Sequence, residues 1–181
     1  SSLWCNVHGH RVAELDEAVQ QQLGRIAHTT LLGLTSPPAI ELAEEVLREA
    51  SPEGGLARLF YSDSGSEAVE IACKMAYQYW QNRGEPNRRR FIAFREGYHG
   101  DTIGSVSLGG IDTFHKVYRP LLFETIFVDS PCRQHHPAGP RAGEVVLEQV
   151  EAALGSHRGE VCAVTIEPLV QGAGGILTHP A

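Results

Sequence analysis

Apolar residues recur along this chain in two rhythms. From about Glu14 to Leu23, and again from about Ala39 to Ala50, they return every three to four positions between polar ones, which predicts two amphipathic helices. Pro37-Pro38 opens the second helix and Pro52 lies just past its end. After that the rhythm alternates. ARLFYS (57–62) reads as a strand, 66–82 as a helix, RFIAFR (90–95) as a strand, and HGDTIGSVSL (99–108) as a turn into a short helix. LFETIFVD (122–129) then reads as a strand, 143–155 as a helix and VCAVTIEPL (161–169) as a buried strand. Strands separated by helical patterns predict βαβ units around a mostly parallel sheet, hence the α/β class. SPCRQHHPAGPRAG (130–143) is rich in Pro and Gly and reads as an exposed excursion.

Three stretches bring candidate chemistry to strand ends. In Ser64-Gly65-Ser66-Glu67 the first serine and the glutamate have capping-box spacing, so the helix begins at the glycine. Its apolar stripe is Ala68, Ile71, Ala72, Met75, Ala76 and Tyr79. A strand running into a Gly-containing turn and a helix N-terminus aims free N–H groups and the positive dipole end at one point, which suits a phosphate. A plain N-cap without a ligand fits the same local pattern. No Walker GxxxxGK[ST] pattern occurs, which disfavours a nucleoside triphosphate. In REGYHGDT (95–102), Tyr98 follows a strand's carboxyl end, where open α/β sheets bind ligands; it can stack on a planar ring or pack over its own loop. In TIEPLVQGAGG (165–175), Glu167 ends a strand and precedes a proline, so its carboxylate arrives at the same sheet edge.

Composition narrows the function classes. With 181 residues, 42% of them hydrophobic and 20% charged, the chain is long enough for one globular domain with a sizeable core. A formal charge of -7 argues against a sequence-independent grip on nucleic acid, which needs a positive surface. The basic run Arg88-Arg89-Arg90 reads as a solvated lead into a strand. No apolar stretch approaches the roughly 18 to 20 residues of a membrane span and nothing resembles a signal peptide, so the expectation is a soluble, cytoplasmic protein. Cys5, Cys73, Cys132 and Cys162 form no CxxC pair, and Cys73 and Cys162 read as reduced core residues. His8, His10, His135 and His136 lack ligand-spaced partners, so no metal site is expected.

DSGSEAVEIACKMAYQYW, FREGYHGDTIGSVSLGG and IEPLVQGAGG, in this order, resemble the class III pyridoxal-phosphate aminotransferases of fold type I, and the resemblance covers nearly the whole chain. It implies that Gly65 and Ser66 hold the phosphate of pyridoxal 5'-phosphate. It also implies that Tyr98 lies against the pyridine ring and borders the substrate, and that Glu167 is a carboxylate near the active site. KMAYQYW, YHGDT and VQGAGG are most similar to the biotin-synthesis branch, which implies S-adenosylmethionine as amino donor and 8-amino-7-oxononanoate as acceptor. Leu3-Trp4 falls where that branch carries two tryptophans lining the substrate pocket; Trp4 keeps the pattern and Leu3 departs from it. The family's Schiff-base lysine and its pyridinium-pairing aspartate lie downstream of QGAGG, and Lys74, Lys116 and Asp129 do not have their contexts. No catalytic residue is therefore expected within 1–181, which resembles the N-terminal portion of a longer enzyme. Residues 1–33 would be an N-terminal segment of the substrate pocket and 34–181 the first part of the cofactor-binding large domain. A homodimer is implied. Two other readings stay open: another class III aminotransferase acting on an ω-amino acid or diamine, and a non-catalytic module that binds a phosphate ligand.

Overall fold

A computed structural model describes residues 5–177; the expectations for Leu3 and Trp4 fall outside the described residues. The chain divides into two compact units, Ser1–Tyr61 and Ser62–Ala181.

The first unit carries α1 (Ala13–Arg25) and α2 (Pro37–Ala50), close to their predicted bounds. Two prolines at the start of α2 supply the fixed φ of a first turn, whose N–H groups would lack partners in any case. Neither helix contains a fully buried residue. The Tyr61 hydroxyl donates to the Ala39 carbonyl and ties the end of the unit to α2. The strand expected over 57–62 does not form. A strand needs a ladder partner, and among the described residues this segment has none, leaving Phe60 66% exposed.

The second unit is the predicted α/β alternation. Its elements are α3 (Gly65–Asn82), β1 (Arg90–Phe94), α4 (Ile103–Leu108), α5 (Asp112–His115), β2 (Thr125–Val128), α6 (Ala142–Ser156) and β3 (Val161–Thr165). A small antiparallel pair follows, β4 (Val170–Gln171) with β5 (Ile176–Leu177). The three longer strands form a parallel sheet in the order β2-β1-β3. β1 is central, which explains its unbroken apolar run: a parallel strand covered on both faces has no polar side. Ile92 and Phe94 pack with Val128, Val146 and Val161 on the α6 face. Phe91 and Ala93 pack with Leu108 and Cys162 on the opposite face, under α3.

Several expectations are corrected here. The face of α3 that meets the sheet is Val69, Cys73, Ala76 and Trp80, one position round from most of the predicted stripe; Met75 and Tyr79 are half exposed. The helix is apolar on two sides, so periodicity alone cannot choose between them. β3 is buried only at its start, because it is an edge of this sheet; Val164 and Ile166 are exposed. The arginine run is not simply solvated. Arg88 lies 4.1 Å over the Trp80 ring and donates to the Val161 carbonyl, and Arg90 pairs with Glu124 and Glu160. The 130–143 excursion starts inside the fold, with Ser130 and Cys132 buried, because Ser130 donates to Gln171, itself held by the Arg95 carbonyl. All four cysteines are free, and burial pushes the Cys73 thiol up to about 11, with Glu70 and Cys162 adding to the rise. Among the described residues no three His, Cys, Asp or Glu side chains gather as a metal site, and no helix is long and apolar enough to cross a membrane.

Candidate functional site

Within the second unit, the segments after β1 and β3 and the start of α3 converge. Ser64, in extended backbone, caps α3 by accepting from the Glu67 amide at 3.2 Å, and the Glu67 carboxylate returns to the Asp63 amide at 2.9 Å. The capping box therefore closes on the residue before the cap. Gly65 and Ser66 are the first two helical residues, and among the described residues no acceptor takes their N–H groups. Two orphan donors and the positive dipole end thus share one helix terminus.

The Ser66 hydroxyl is oriented from behind. Its oxygen accepts the Asp101 amide at 3.1 Å, so its own proton is left free to donate to another acceptor. That contact depends on Gly100, whose φ is +129°; a Cβ there would lie 2.3 Å from Ser66 Oγ. The cradle closes because position 100 has no side chain.

Tyr98 is held at both ends. Its amide donates to Glu167 Oε1 at 2.8 Å, and its hydroxyl donates to Asp101 Oδ2 at 2.6 Å. The hydrogen bond to Asp101 pushes the phenol up to about 12, with burial and the Asp101 charge acting in the same direction. Glu167 Oε2 accepts from the Gly172 amide at 2.7 Å, so one carboxylate fastens the loop after β1 to the turn between β4 and β5. His99 is held below the usual imidazole range by burial; Glu167 opposes that shift and His115 reinforces it.

Ser66, Tyr98 and Glu167 thus meet as expected, although the strand expected before Ser66 is not formed. Ser66, Tyr98 and Glu167 join through a chain of contacts that runs Glu167 to Tyr98 to Asp101 to Ser66. Sequence reasoning missed Asp101. Its signal was its spacing three residues past Tyr98 in a loop, which lets the carboxylate turn back to the phenol. It also missed Glu70, which accepts from the Gly104 and Ser105 amides and steadies the first turn of α4. Lys74 and Lys116 are exposed, and Asp129 is engaged with Gln149 and Arg95. Chemically, the assembled groups can hold a small anion at the α3 N-terminus and present a flat phenol beside it. None of them is a lysine poised to react.

The family described as aminotransferase class-III matches residues 1–181. Among curated proteins, the chain is 50% identical over 184 residues to the adenosylmethionine-8-amino-7-oxononanoate aminotransferase of Geobacter sulfurreducens, covering 99% of this chain and 40% of that one. It is 48% identical over 182 residues to the enzyme of the same name from Anoxybacillus flavithermus, with the same coverage. Among solved structures, the Methanocaldococcus jannaschii enzyme of that name matches with a TM-score of 0.82 and 40% identity, over 96% of this chain and 37% of that chain. A PLP-bound amine transaminase from an uncultivated Pseudomonas species matches with a TM-score of 0.87 and 35% identity, over 95% of this chain and 40% of that one. The chain thus spans about 40% of the length of the curated relatives it matches.

Proposed function

The chain belongs to the class-III aminotransferase family, and from that premise we propose that it is part of a pyridoxal-phosphate-dependent transaminase of biotin synthesis. S-adenosylmethionine would be the amino donor and 8-amino-7-oxononanoate the acceptor. The single observation that carries the cofactor reading is the built cradle at Gly65 and Ser66. Two N–H groups unpartnered among the described residues, one hydroxyl with its proton free and the closing glycine at 100 fit a phosphate dianion. Tyr98, tied by its amide and its hydroxyl, would lie against the pyridine ring and border the substrate. Pyridoxal phosphate, when bound, supplies a carbonyl that exchanges amino groups and a ring that withdraws electrons. The residues of this chain bind and orient; Glu167 keeps the Tyr98 loop in place while doing so. The reactive lysine and the aspartate that pairs with the ring nitrogen are read as belonging to the remainder of the enzyme.

The identity to the biotin-pathway relatives supports the substrate pair, and Trp4 beside Leu3 would give a thinner aromatic wall to the pocket. The homodimer and the cytoplasmic location belong to the same reading, as do a large domain starting near residue 34 and an N-terminal segment before it. A second reading, a transaminase of other amines, is favoured by the high TM-score to the amine transaminase. Donor preference decides between them. The full-length enzyme should transfer nitrogen from S-adenosylmethionine to 8-amino-7-oxononanoate, and a preference for alanine or glutamate with simple ketone acceptors would select the second reading. A full-length protein that binds phosphate ligands without transferring nitrogen from any donor would refute both.

A further inference from the structure

We propose that His115 is a positioning residue that sets the plane of the Tyr98 ring. This rests on the reading of Tyr98 as the cofactor-facing aromatic. His115 is the last residue of α5 and is 5% exposed. Its imidazole stacks on the Tyr98 ring, with centroids 6.3 Å apart and planes 15° from parallel. Phe114 meets both rings edge-on, at 6.5 Å from Tyr98 and 6.2 Å from His115, so three rings form one cluster.

Neither His115 nitrogen has a hydrogen-bond partner among the described residues. Burying an imidazole unpaired is unfavourable, and among the described residues the ring contacts that His115 makes are with Tyr98 and Phe114. The space is cut to that shape. A Cβ at Gly109 would lie 2.4 Å from His115 Cε1, and the loops that carry the two rings are laced together by Gly110 N–H to the Gly97 carbonyl and Glu96 N–H to the Gly110 carbonyl.

Hydrogen bonds from its amide and its hydroxyl fix Tyr98 at two points, and two points leave rotation about the axis joining them. A flat neighbour nearly parallel to the ring, with Phe114 edge-on to both, narrows that freedom. Aligning a group that must itself lie flat on a cofactor is a use for which an aromatic neighbour is suited and an aliphatic one is not.

The test uses the full-length holoenzyme with His115→Leu, which keeps bulk without a flat face, and His115→Phe, which keeps the face. Expected for His115→Leu are unchanged pyridoxal phosphate stoichiometry, a loss of roughly five- to ten-fold in kcat/KM, and an altered circular-dichroism band of the bound cofactor. His115→Phe should restore both readouts to within about two-fold of wild type. The band responds to the environment of the bound ring, so a loss of folded protein alone would not reshape it. A His115→Leu enzyme identical to wild type overturns the inference, and so does a pair of variants that fall together. If wild-type protein shows neither the band nor transamination, the functional reading fails and takes this inference with it.

Discussion

The Ser66 oxygen accepts the Asp101 amide, which leaves its own proton free to donate to another group. Ser66→Ala in the full-length enzyme removes that donor and also leaves that amide without its acceptor. Cofactor affinity should fall by about 1 to 3 kcal/mol, the range for a hydrogen bond to a charged group. An equilibrium titration with pyridoxal phosphate measures it, and an unchanged dissociation constant would remove Ser66 from the cradle. Tyr98 provides a pH test. Its phenol, pushed up to about 12, stays protonated above the ordinary value near 10. The raised value favours the folded state fully below about pH 10, and that contribution disappears as pH rises towards 12. The difference in phenolate absorbance between wild type and Tyr98→Phe should therefore titrate late, and Asp101→Asn should bring it earlier by removing the carboxylate that causes the shift. Ser66, Tyr98 and Glu167 were legible in the sequence because strand ends and a capping pattern announce them. Asp101 and His115 were not, since the contacts that define them exist only after distant segments meet.

Elements were more legible than the surfaces between them. All five helices that the pattern predicts form within a few residues of their expected bounds, because caps, prolines and spacing are local signals. Which side of α3 meets the sheet was not legible, as two apolar faces compete and only packing decides. The strand expected at 57–62 misled for a related reason: β-propensity describes a fit to a neighbour, and the described residues supply none. Glycines between elements sort into two kinds that make a differential prediction. A Cβ at Gly110 would lie 2.7 Å from Arg95 Cα, backbone against backbone, whereas Gly155 in α6 has nothing within 4 Å among the described residues. Gly110→Ala should destabilise the full-length protein by about 1 to 3 kcal/mol. Gly155→Ala should be neutral or stabilising by up to about 1 kcal/mol. Thermal unfolding of the two variants compares them directly; equal shifts would mean that the loop pair is not tightly packed.

On the scale of the whole molecule, neither Lys74 nor Lys116 lies among the residues that converge around Tyr98, and many large apolar side chains are exposed, Leu32 at 89% and Val117 at 76% among them. Among the described residues, the edges of the three-stranded sheet are unpaired and add to that exposure. Purified alone, residues 1–181 should bind a hydrophobic dye more strongly than the full-length enzyme. After borohydride treatment with pyridoxal phosphate it should carry no stoichiometric adduct on a single lysine. Peptide mapping checks this, and a clean adduct at Lys74 or Lys116 accompanied by turnover would overturn it. The Glu167 clamp has a temporal consequence. Tyr98 and Gly172 stand far apart along the chain, yet their amides donate to the two oxygens of one carboxylate. When that carboxylate swings away, both amides lose their acceptor in the same event, so their hydrogens should exchange with solvent at matched rates. The Tyr98 loop and the turn at Gly172 would then loosen and reset on one clock, and that clock would limit how quickly either can rearrange.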